Sequence, residues 1–253
     1  MPTANPSLRR TQSDTLAPQR GVAFNPVSFS IPLCRFIHFF VGSLSLASHV
    51  VADRMSLSNA QRPTNTRERY RLMAEAASRP FAVGAVVVPL LLPVFGYLSN
   101  DYRIMFTVHL FLGAFWFGTA VLGAVVLGPV MGSLSETANV EFAEGFVPKM
   151  NLLMEPVSVG AIASGIGLAE MMELWASPTP SLWAALAIAV ALLLLGFGPL
   201  HTFTAGMFDE IAAEETDHER LASLNKKYGM LSLVELVLMI AIVLTMSGIR
   251  WGF

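Results

Sequence analysis

The chain has 253 residues, of which 54% are hydrophobic and only 13% charged, and its formal net charge is −2. With a strongly positive mean hydropathy, that balance is the signature of a membrane protein and excludes a soluble domain, which has no use for so much apolar surface. The single cysteine, Cys34, excludes an intramolecular disulfide and a thiolate cluster, so any metal site must use His, Met or carboxylate side chains.

Charge divides the chain in two. Residues 1–72 hold nine Arg and no Lys against Asp14, Asp53 and Glu68, whereas residues 73–253 hold seven basic and fifteen acidic residues. The first 27 residues are rich in Ser, Thr, Pro and Arg without apolar periodicity, a composition expected to be disordered. Two readings of this stretch stand: an Arg-rich, acid-poor targeting leader, or an upstream extension of a chain whose start is Met73. Residues 1–72 are therefore read as an N-terminal extension and 73–253 as the membrane bundle. Within the extension, "FIHFFVGSLSLASHVVA" at 36–52 is a weak sixth span or an interfacial helix.

About 20 apolar residues cross a bilayer core of roughly 30 Å. Five segments meet that length: 81–98, 104–131, 151–172, 182–206 and 229–248. The fold class is thus an all-α transmembrane bundle of five spans, six if 36–52 crosses. The first span contains Pro89 and Pro93, whose freed carbonyls need cover from neighbouring helices. Arg79, Lys149, Arg220, Lys226 and Lys227 fall on one side, Arg103 and Arg250 on the other. The positive-inside rule puts the former side, with 207–228, in the cytoplasm and the protein in the cytoplasmic membrane.

The stretch "GAIASGIG" at 160–167 places small residues four apart, the pattern of a closely packed central helix. In the second span His109, Gly113, Trp116 and Ala120 share one helical face. His109 is expected to point at other helices, because ionisable side chains within a membrane are buried and commonly functional.

"HLFLGAFWFG" at 109–118, a histidine followed seven residues later by tryptophan and with Pro129 ending the span, resembles the first conserved helix of the copper-resistance D-like membrane family. "FVPKMNLLMEPVSVGAIASGIGLA" resembles that family's next helix, and the likeness covers about 105–250. It implies handling or transport of copper. The His and Trp spacing is also similar to the membrane-embedded protoporphyrinogen oxidase family, which implies haem, although "LGAVVLGPVM" stands where that pattern has an arginine. Copper and haem are therefore the candidate cofactors.

In the oriented chain Met105, His109, Glu170, Met171, Met172 and Glu173 fall near the outer end. Met131, Met150, Met154, Glu155, His201, Met207 and Met230 fall near the inner end, with Glu235 about a turn deeper. Thioether and imidazole suit Cu(I), which makes Met105, His109 and His201 candidate metal ligands and His109 the candidate cofactor ligand. The plainer reading of the methionines is packing at helix ends. Glu155, followed by Pro156, reads as the start of the third span or as a partner of His201. His201 reads as a cation at a helix C-terminus or as part of a proton relay with Glu155 and Glu235. Glu235 is expected to be buried against His201 or Tyr228. His109 and His201 are expected on the order of 20 Å apart in level, too far for one metal. The acidic balance and the lack of a Gly-rich phosphate loop argue against nucleic acid and nucleotide. Three functions remain: handling of a small cation such as copper, a haem-binding oxidoreductase, or a membrane subunit without a site.

Overall fold

The computed structural model describes residue 63, residues 65–213 and residues 216–251. The leader at 1–27 and the weak segment at 36–52 lie outside these residues. The described residues contain no strand and form six helices: α1 Thr66–Ala76, α2 Arg79–Leu98, α3 Tyr102–Ser133, α4 Glu136–Met171, α5 Pro180–Ile211 and α6 His218–Trp251. Helices α2 to α6 are long and apolar enough to cross a membrane. The chain is a multi-pass membrane protein with five spans among the described residues, and lipid is its solvent.

Helix α1 is short and amphipathic. Asn65 caps it by accepting from the Glu68 N–H at 2.9 Å, and Tyr70, Met73, Ala74 and Ala77 recur at the spacing of one helical face. Met73, Ala74 and Ala77 are buried among Ala143, Val147, Leu152 and Phe208. The junction drawn at 72/73 thus falls inside a helix that packs on the bundle. Between α1 and α2, Ser78 takes φ 73°, a left-handed conformation costly for a residue with a Cβ.

Helix α4 is the centre of the bundle and packs against both α2 and α3. A Cβ added at Gly160 would overlap the carbonyl oxygen of Pro89 and come 3.2 Å from Leu112. That carbonyl lacks a helical partner because Pro93, four residues on, has no N–H. The glycine therefore lets α4 cover the freed group, which is how α2 keeps Pro93 inside a span. Gly165 and Gly167 similarly admit the His109 ring and the Met105 side chain.

Helix α4 begins at Glu136, 15 residues before the expected start of the third span, and runs through Pro148 and Pro156. Its early turns carry Glu141, Glu144 and Lys149 on exposed positions, so a hydropathy window misses them. Helices α3 and α5 each contain a wide turn, Leu122–Leu127 and Gly196–Leu200. Pro129 lies just after the first and Pro199 within the second, and the widened spacing re-satisfies carbonyls that a proline strands. In α5 the His201 N–H reaches Gly196 O, five residues back.

Candidate functional site

The closest-knit polar group lies at the end of the bundle that carries α1. Glu155 of α4 uses both carboxylate oxygens: Tyr70 OH donates to Oε2 at 2.9 Å, and His201 Nδ1 lies 2.5 Å from Oε1. The Tyr70 and His201 rings stack with centroids 6.0 Å apart and planes 22° apart. Beside them Arg69 forks onto Asp209, Nε to Oδ1 at 2.8 Å and Nη2 to Oδ2 at 2.7 Å. Asn151, one turn before Glu155, reaches Met73 Sδ at 4.0 Å. Arg220 approaches the buried Glu210 at 3.1 Å at the same end.

These contacts correct two expected roles. Glu155 does not open a helix; it sits midway along α4, which continues through Pro156. His201 is not at a helix C-terminus either, since α5 runs on to Ile211. The wide turn just before His201 sets the face on which its ring emerges. The pairing of Glu155 with His201 leaves Glu235 elsewhere: it accepts from Trp116 Nε1 at 3.0 Å, and of its two expected neighbours it has Tyr228 nearby while His201 is taken by Glu155. A carboxylate inside a span needs a donor, and the indole N–H is the one that α3 presents to α6.

His109 faces α4. Its Nδ1 lies 3.0 Å from Ala161 O and 3.2 Å from Ser164 Oγ, and the Ser164 hydroxyl also donates to Ala161 O. A carbonyl only accepts, so Nδ1 carries the hydrogen and, in the neutral ring, Nε2 carries the lone pair. Ala161 and Ser164 stand six and nine residues from Glu155 on one helix, a rise of roughly 9–14 Å. His109 and His201 are therefore nearer in level than the 20 Å expected, yet still too far apart for one metal or one haem iron.

Of the methionines expected near the inner end, Met131 and Met207 come together and Met230 stands apart. Met105 is buried against Gly96 and Gly167, Met131 and Met207 line a cavity of about 230 Å³ with Asn139 and His218, and Met230 is 62% exposed. Among the described residues no three His, Cys, Asp or Glu side chains are placed to share a metal.

Arg69, Tyr70 and Asp209 were not singled out in the sequence. The apolar positions Tyr70, Met73, Ala74 and Ala77 were the available signal, masked by the surrounding arginines. Compared with known proteins, the chain matches no protein-family model, no curated protein and no solved structure.

The environment of Tyr70 has a measurable consequence. Burial, and then the neighbouring Glu155 carboxylate, push its phenol above the ordinary value. A group raised on folding contributes stability that is complete below its unfolded pKa, about 10 for Tyr, and is lost as pH climbs beyond it. Thermal unfolding in detergent should thus lose stability more steeply above about pH 10 in the natural protein than in Tyr70→Phe. Identical alkaline slopes would remove Tyr70 from the account.

Proposed function

We propose that this membrane protein handles a small cation, and that the cation its Tyr70–Glu155–His201 group is built for is the proton. The observation that supports this is Glu155 itself. Its carboxylate is shared between an imidazole and a phenol at hydrogen-bond distance, on the central helix of a membrane bundle. Carboxylate and imidazole can pass one proton between Oε1 and Nδ1, while Tyr70 holds the second oxygen in place. Protonation and release balance without any redox partner. Glu235, donated to by Trp116, is the second carboxylate of this reading.

Copper remains the second reading, through the likeness of "HLFLGAFWFG" to the copper-resistance D-like family. One observation favours it: the carbonyl of Ala161 fixes the His109 tautomer, the kind of support that imidazole ligands of metals and haem iron receive. In this reading His109 supplies Nε2 to Cu(I) or haem, with Met105 on the same helix face.

The membrane proposed is the cytoplasmic one, with 207–228 inside. Arg67, Arg69, Arg71, Arg79, Lys149, Arg220, Lys226 and Lys227 support that orientation. With Cys34 replaced by serine, Ser223→Cys should resist impermeant thiol reagents in intact cells and react after lysis. Reaction in intact cells would reverse the topology.

The function is tested in sealed vesicles holding a pH dye. Under an imposed potassium diffusion potential, proton entry should be at least about ten-fold faster, a difference of about 1.4 kcal/mol in barrier, with the natural protein than with Glu155→Gln. Equal rates would reject the proton. Copper content and a haem absorption band, each compared with His109→Gln, decide the second reading.

A further inference from the structure

We propose that α1 is a hinged cap over the Glu155–His201 pair, latched shut by Arg69 and Asp209. The inference rests on the proton reading only for its purpose; the cap itself is argued from geometry. Three features of a movable strap coincide in one short segment. The plug is Tyr70, whose hydroxyl occupies Glu155 Oε2 and whose ring lies over His201, with Met73 fully buried behind it against Asn151. The latch is the bidentate Arg69–Asp209 pair, which ties the segment before the first span to the far end of the fourth. The hinge is the Ala77–Ser78 junction, where Ser78 holds φ 73°. Strain of this sort persists where the surroundings over-determine it, and it gathers at switch regions.

Apolar contacts of α1 are few. They comprise Met73, Ala74 and Ala77, with Tyr70 and Leu72 at the margin. An amphipathic helix of 11 residues is too short to be stable without its docking surface. Its seat therefore depends on the specific polar ties at its start, and opening at Ser78 would expose Glu155 Oε2 and the face of the His201 ring to the aqueous side. The latch joins two charged side chains that are partly exposed, so a change of ionic strength or of the Asp209 charge alters it.

The test reads access and not proton movement, so it can fail or succeed independently of the vesicle assay. In the full chain with Cys34→Ser, Asn151→Cys places a thiol beneath α1, and Ala189→Cys places one among the buried residues of α5 away from it. Open membrane fragments are treated with N-ethylmaleimide. The Asn151→Cys thiol should react slowly, at least ten times faster when Arg69→Ala is added, and slowly again in the charge-exchanged Arg69→Asp, Asp209→Arg background. The Ala189→Cys thiol should stay slow in all three. An unchanged Asn151→Cys rate with Arg69→Ala overturns the cap. So does a parallel rise at Ala189→Cys, which would mean general loosening, and so does a charge exchange that melts at the natural temperature yet leaves Asn151→Cys fast.

Discussion

Gly160→Leu is expected to abolish assembly of the bundle, and Gly160→Ala to cost about 1–3 kcal/mol, the range for over-packing a tight interface. The added atom meets the backbone carbonyl of Pro89, which cannot rotate away as a side chain can. Moving α4 aside would also uncover that carbonyl to lipid, where an unpaired polar group is costly. Gly165→Ala should be milder, because it meets the His109 ring at 2.9 Å, and a ring can shift. Gly113→Ala should be neutral or slightly stabilising, since nothing lies within 4 Å of the new atom and alanine is the better helix former. Unfolding in mixed detergent should rank the four variants in that order. A Gly160→Ala protein as stable as Gly113→Ala would contradict the packing described for α2 and α4.

His201→Leu should cost about 2–4 kcal/mol, slightly below the usual cost of stranding one partner of a fully buried pair because both side chains are partly exposed. The side chains of His201 and Glu155 are 22% and 21% exposed. Glu155→Leu alone should cost a similar amount, since it leaves the imidazole and the Tyr70 hydroxyl without their acceptor. The double variant should be far less unstable than the two single losses combined, because apolar side chains can fill the space of a buried pair. Thermal melts of the four proteins give the coupling directly. Simple additivity would mean that the 2.5 Å contact contributes nothing to the fold.

Spans were legible where the chain is apolar throughout, because length and hydropathy suffice there. The first four turns of α4 were not, since Glu141, Glu144 and Lys149 face outward and dilute the signal. That omission moved Glu155 from the middle of a helix to its expected beginning and so hid its role. The inward face of His109 was legible from Trp116 and Ala120, because offsets of seven and eleven stay on one side of a helix, whereas Gly113, read with them, faces open space. The partner of Glu235 was not, since Trp116 lies 119 residues away and only the packing of α3 on α6 joins them. Tyr70 was obscured by its arginine neighbours, whose charge placed the whole stretch in the extension. Helical spacing of Tyr70, Met73 and Ala77 was present in the sequence and carries more structural information than the charge does.

The most direct measurement on the central claim is an infrared difference spectrum of the protein in vesicles, taken between about pH 8 and pH 5, the interval over which imidazole-linked protons exchange. The account predicts carboxyl bands that disappear in Glu155→Gln, change in His201→Gln and persist in Glu170→Gln at the opposite end of α4. A Glu155→Gln spectrum that superimposes on that of the natural protein would contradict it.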